Sequence, residues 1–116
     1  MKSITAFEQF VFGALADRDP EGAILRAQAD VASVVSRELT GVGVFTKFQV
    51  PGDAPRFQAG ETMRQGEPPL LLTHPSVPAG TGVILWLTDG FMDTLECYTY
   101  DGDWPSDDLL FGVAAA

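Results

Sequence analysis

The spacing of apolar residues divides the chain into a helical opening and a strand-rich remainder. Ile4, Phe7, Phe10, Val11, Ala14 and Leu15 recur at helical intervals, and Thr5 with Glu8 three residues later forms a capping box, so a first helix is predicted here. The run Asp17-Arg18-Asp19-Pro20 interrupts it. Asp19 and Pro20 then read as the N-cap and first residue of a second helix, which places Ile24, Val31 and Val35 on one stripe with Leu25, Ala32 and Leu39 beside it. Gly41 is expected to close that helix, and both stripes are read as core covering a sheet.

After Gly41 the period changes from 3.6 to 2. Val42, Val44, Thr46, Phe48 and Val50 point one way and Gly43, Phe45, Lys47 and Gln49 the other, the pattern of a half-buried strand ended by Pro51. Residues 57–67 read as mostly loop with room for a short edge strand, and a further apolar run begins at Leu70. Asp89-Gly90 lies between two β-rich runs, as a two-residue turn with positive φ requires, so Val83–Leu87 and the segment after Phe91 are predicted to form a hairpin. An uninterrupted register pairs Trp86 with Asp93, Ile84 with Leu95 and Gly82 with Cys97, and puts Glu96 beside Val83 and Leu85. The expected fold is a single α+β domain with two N-terminal helices on one face of a four- to five-stranded, mainly antiparallel sheet.

Composition agrees with a folded domain: 116 residues, 46% hydrophobic and 20% charged, suit one continuous core. The opening imitates a secretory signal, with Lys2 before an apolar stretch, but Glu8 and Gln9 leave only Phe10 to Ala16 uninterrupted. No later apolar run approaches the roughly 20 residues that span a bilayer. Cys97 is the only cysteine, which excludes an internal disulfide, and the chain has no Asn and hence no N-glycosylation acceptor. A cytoplasmic location without membrane attachment is expected.

The net charge of −9 is unevenly spread. Met1 to Arg64 carries seven bases and eight acids, whereas Gln65 to Ala116 carries eight acids and no base. Such a surface repels nucleic-acid phosphates and attracts basic partners. Acidity of this kind also serves solubility alone.

Motifs with specific chemistry are missing. A calcium loop starting at Asp101 would meet Pro105 and Ser106 where it needs Asp or Asn and then Gly. Gly41-Val42-Gly43 and Gly80-Thr81-Gly82 precede strands instead of opening helices, so they punctuate backbone and cradle no phosphate. His74 and Cys97 could form a thiol pair only by meeting in space, and each has an ordinary packing explanation. No cofactor or metal is expected. Glu96, placed among aliphatic neighbours, is the first candidate for a functional carboxylate, against a structural alternative in which it pairs with an Arg such as Arg37 or points to water on a half-solvated face. Tyr98, Tyr100 and Trp104, set among Asp101, Asp103 and Asp107, suit anchors on a binding surface. The alternative is that these rings pack inward while Ser106 caps a short helix with Asp107 and Asp108 in its first turn and Leu109, Leu110 and Phe111 docked on the core.

The stretches LTGVGVFTKFQVP and DGFMDTLECYTYDGDWP together resemble a group of small bacterial proteins with a GVGxFTxF…VP strand and an LEGYTYD…WP ending, over about two thirds of the chain. Cys97 stands where that group carries Gly. The resemblance implies a compact α+β domain with N-terminal helices and an antiparallel sheet, and no catalytic residues. Some members accompany polymorphic toxin systems, which implies an immunity role. The expected function is therefore non-catalytic binding of a basic protein through Glu96, Tyr98, Tyr100, Asp101, Asp103, Trp104 and Asp107. The alternative is a small-ligand protein or hydrolase using Glu96 with Asp93 or Asp101.

Overall fold

A computed structural model describes residues 3–58, 60–107 and 110–114. Helix α1 spans Ala6–Ala16 and starts at the expected capping box: Thr5 Oγ1 accepts from Glu8 N at 3.1 Å, and Thr5 N donates to Glu8 Oε1 at 2.9 Å. Helix α2 spans Gly22–Val31, with Glu21 at its N-cap instead of Asp19. Asp19 Oδ1 accepts from Glu21 N at 2.8 Å. That bond turns the corner between the helices.

The second helix ends at Val31, well short of the closure expected at Gly41. Ala32 is extended, and Ser33–Leu39 forms strand β1 against β2, Gly43–Gln49. The 3.6-residue match of Val31 with Val35 is coincidental, since both are half exposed, while Val34 between them is fully buried opposite Phe48. Three β-branched valines in five positions favour the pleated surface, and ladder hydrogen bonds to β2 replace the helical ones. Gly41, with φ of +87°, closes the β1–β2 hairpin instead of a helix.

The remaining strands are β3 Met63–Arg64, β4 Leu71–His74, β5 Val77–Thr88, β6 Phe91–Thr99 and β7 Gly112–Val113. All pair antiparallel in the order β1-β2-β6-β5-β4-β7, with β3 also on β5. The fold is α+β as expected, but seven strands replace four or five. The extra ones are β1, taken from the predicted helix, and the two-residue β7, which is too short to show a period; β3 is the short edge strand for which residues 57–67 left room.

Both helices lie on one face of the sheet. Val11, Phe12 and Leu15 of α1 and Leu25 of α2 bury against Val34, Phe48, Leu72, Val83, Leu85, Leu95 and Cys97. Each such aliphatic or aromatic side chain contributes roughly 1.5–3 kcal/mol by leaving water. Gln28 of α2 is the polar exception at 0% exposure. Its Nε2 donates to Pro55 O at 2.8 Å and Gly90 O at 2.9 Å, and its Oε1 accepts from Met92 N at 2.8 Å. Helix α2 is thereby fastened to the β5–β6 turn, where Asp89 and Gly90 both take positive φ, 54° and 81°.

The β2–β6 pairing depends on Gly43, where a Cβ would lie 2.2 Å from Cys97 O. Gly43→Ala is expected to lose about 2–3 kcal/mol in urea denaturation, whereas Gly52→Ala, with open space around it, stays near wild type. Gln28→Leu strands Pro55 O and Met92 N, while Gly90 O keeps Phe57 N as a donor, and should lose about 2–3 kcal/mol in the same measurement.

Candidate functional site

Residues directly opposite one another share a face, and the register assembles the uncovered face row by row. Glu38, Phe45, Glu96 and Ile84 form one row across β1, β2, β6 and β5. Ser36, Lys47, Thr94, Trp86 and Met63 form the next, and Gly43, Tyr98, Gly82 and Leu71 a third. Phe45, Trp86 and Met63 are each 37% exposed and Leu71 42%, so these rows are an aromatic and aliphatic face open to solvent.

Glu96 stands in the middle of it, where its Oε1 accepts from Trp86 Nε1 at 3.1 Å. This corrects the register expected from sequence. Thr88 pairs with Phe91 and Leu87 with Met92, but Trp86 pairs with Thr94, leaving Asp93 as one extra residue in β6. Every later side chain is turned over, so Glu96 faces Ile84 on the open side and Cys97 faces Val83 in the core. The aliphatic enclosure that would have made Glu96 a desolvated acid does not form. Nor does Glu96 bind Arg37, which is engaged by Glu8.

Tyr98 lies across Gly82, where a Cβ would sit 2.4 Å from its Cζ, and meets Tyr100 edge to face with centroids 5.5 Å apart. Burial and the hydrogen bond with Tyr100 push its phenol up to about 12. Asp101 and Asp103 are exposed just beyond the end of β6. Asp93, toward the other end, accepts from Thr88 Oγ1 at 2.6 Å and Thr94 Oγ1 at 3.1 Å. Asp93 and Glu96 are thus spread along β6 with Asp101 past its end, and the three line none of the main clefts among the described residues.

Trp104 parts company with the tyrosines. It stacks on Phe111 at 5.2 Å and meets Phe7 of α1 at 6.0 Å, on the helix side of the sheet. The carbonyl of exposed Asp107 accepts from His74 Nε2 at 2.7 Å, while His74 Nδ1 accepts from Ser76 N and the His74 ring lies tilted against Phe111. The expected helix after Ser106 does not begin in the described residues: Ser106 and Asp107 are irregular, and Leu110 is exposed. Asp108 and Leu109 lie outside the described residues.

Ion pairing follows the charge split. Arg26 pairs with Asp17, Arg37 with Glu8, and Arg64 with Asp19 and Glu21, with Glu61 beside it. Among the described residues, Glu67, Asp89, Asp93, Glu96, Asp101 and Asp103 form no salt bridge. These six carboxylates keep their negative charge unneutralised. Lys47 is a base on the open face, at its β2 side.

The helix side holds a feature that sequence reasoning missed. Glu8 is 3% exposed, yet Arg37 Nε donates to its Oε2 at 2.9 Å and Arg37 Nη2 to its Oε1 at 2.8 Å. Burial by itself would raise the Glu8 pKa, but the Arg37 and Thr5 hydrogen bonds, the Arg37 charge and the Thr46 hydroxyl together hold it below its ordinary 4.5. The signal was present: Glu8 falls on the stripe of Ile4, Val11 and Leu15, a carboxylate on the face that must be buried. Beside this pair opens a cleft of about 510 Å³ between α1, the inner sheet face and Trp104–Ser106. Cys97 is buried in its floor, and burial pushes the thiol far up.

Compared with known proteins, the chain matches no family model, no curated protein and no solved structure. Among the described residues no three His, Cys, Asp or Glu side chains converge as metal ligands would, and no helix is long and apolar enough to cross a membrane.

Because the Glu8 pKa is lowered on folding, its contribution to stability is complete above the ordinary carboxylate range and is lost as pH falls through the folded value. Glu8→Gln leaves Arg37 without its anion and is expected to lose about 3 kcal/mol at neutral pH. Urea midpoints of variant and wild type should converge as pH drops below 4.5. Adding Arg37→Met to Glu8→Gln should recover part of the neutral-pH loss.

Proposed function

We propose that this chain is a non-catalytic binding domain that docks a basic protein on the uncovered face of its sheet. The observation that carries the reading is the bareness of that face: Phe45, Ile84, Trp86 and Tyr98 form a continuous surface with Glu96 at its centre, and no helix covers it. Monomeric proteins seldom expose connected apolar rows of this kind, and aromatic side chains of limited flexibility are the usual anchors of protein interfaces. Trp86 and Phe45 serve as the anchors, and Glu38, Glu96, Asp101 and Asp103 provide the attraction that selects a basic partner and speeds encounter. Tyr98 and Tyr100 extend the surface toward Asp101. Trp104 and Asp107 act from behind, by holding the C-terminal segment on the helix side.

A basic toxin, neutralised by occlusion as an immunity protein would do it, fits this chemistry and the resemblance to toxin-associated bacterial proteins. Nucleic acid and anionic lipid do not fit it, because unpaired carboxylates repel both. The reading places the domain in the cytoplasm, where such a partner would be met.

The test isolates the partner with immobilised protein and measures its affinity by calorimetry. A basic polypeptide is expected, bound at least tenfold more weakly after a large rise in salt. Trp86→Ala should weaken it by roughly 30-fold, and Glu96→Gln with Asp101→Asn and Asp103→Asn by a comparable factor. A partner that is acidic, or whose binding ignores both salt and these substitutions, would overturn the proposal.

A further inference from the structure

The cleft on the helix side is separate from the sheet face, and its chemistry differs. Its floor and walls are Phe7, Val44, Leu95, Cys97 and Trp104, with Leu39 at the rim, and its polar atoms belong to Glu8, Arg37, Thr5, Thr46 and Ser106. The cleft is open to solvent at Leu39 and Ser106. A space of about 510 Å³ lies in the range of small-molecule sites. Apolar walls hold water poorly, so an organic occupant is favoured over solvent.

The ion pair decides the charge of that occupant. Both Glu8 oxygens are taken: Oε1 accepts from Thr5 N and Arg37 Nη2, and Oε2 from Arg37 Nε. Glu8 therefore has no role left as a free base or as a counter-ion for a cation. Arg37 Nη2 also donates to Ser3 O at 3.1 Å, while its Nη1 makes no hydrogen bond among the described residues. The two N–H groups of Nη1 remain, on a guanidinium whose charge is already matched. A second carboxylate there would lie close to the Glu8 anion, which repels it. A neutral acceptor meets no such opposition.

We propose that this cleft binds a small, neutral, mainly aromatic molecule bearing a carbonyl acceptor. The ring lies against Trp104 and Phe7, already arranged edge to face at 6.0 Å, and the carbonyl accepts from Arg37 Nη1. The Trp104–Ser106 segment forms the outer wall. It is held by Trp104 N donating to Gly41 O at 2.8 Å and by the Phe111 stack.

The experiment titrates acetophenone, toluene, benzoate and benzylamine into the protein. Backbone resonances are followed by NMR, together with Trp104 emission in Trp86→Phe, which leaves one indole as reporter. Acetophenone is expected to saturate, to shift Val44, Leu95 and Cys97 while leaving Ile84 and Met63 unmoved, and to bind about tenfold tighter than benzoate or benzylamine. Arg37→Lys keeps a cation for Glu8 but removes the spare donor. It should reduce acetophenone affinity by about tenfold and leave toluene unchanged. Ser106→Phe alters an exposed position on the outer wall, fills the cleft and should abolish binding of both while folding is retained. Absence of saturable binding by acetophenone and toluene would overturn the proposal. So would resonance shifts confined to the sheet face, preference for benzoate, or unaltered binding in Ser106→Phe.

Discussion

One extra residue in β6 decides which chemistry each side of this protein presents. Met92 is still in step with Leu87, but Thr94 has taken the place opposite Trp86 that Asp93 would otherwise occupy. Because side chains alternate strictly along a strand, this bulge exchanges inside for outside at every position beyond it. Leu95 and Cys97 enter the core, while Glu96 and Tyr98 leave it. Two sets of polar contacts fix the place where this happens. Gln28 accepts from Met92 N immediately before the bulge, and Asp93 accepts from Thr88 and Thr94 hydroxyls at it. A buried glutamine on a helix and a half-buried aspartate on a strand therefore determine together that the carboxylate at 96 lies on the open face.

The arginines act on the opposite side of the same problem. Arg64, 6% exposed, gathers Asp19 at 2.7 Å and Glu21 at 2.6 Å over the ring of Phe57, and so ties the corner between the helices to β3. Its Nε stands 3.2 Å from Glu61 Oε2 without the alignment of a hydrogen bond, so Glu61 contributes charge more than direction. Arg37 does similar work between α1 and β1. Bases spent in this way inside the first half are not available to neutralise the second, and the uneven sequence charge becomes an uneven surface. Acids on the hairpin keep their field, while Arg26, Arg37 and Arg64 are matched by acids of the first half.

Strands β2 and β6 serve both surfaces at once. Phe45 and Glu96 look outward from the same two strands whose Val44, Leu95 and Cys97 look into the cleft. Close approach of the two strands relies on Gly43, and Tyr98 spreads over Gly82 because no side chain stands there. A thin domain with helices on one side only has no second layer to separate its two faces. Whatever occupies one of them rests on the strands that form the other.

Several features were legible in the letters alone. The capping box at Thr5 and Glu8, the alternation from Val42 to Val50 and the Asp89-Gly90 turn are local, since each depends on groups a few residues apart. The α+β class followed from them. Charge asymmetry was also a property of sequence, because it needs only counting. Three things were settled by contacts between distant segments. Ser33–Leu39 had a pattern tolerable to helix and strand alike, and only the partner β2 chose between them. The face of Glu96 turned on a bulge held by Gln28, 64 residues away from Met92 along the chain. The cleft exists because Glu8 and Arg37, 29 residues apart, satisfy each other beside the segment bearing Trp104. Local propensity is written in neighbouring residues, whereas register and enclosure are decided by which remote groups satisfy one another's hydrogen bonds and charge.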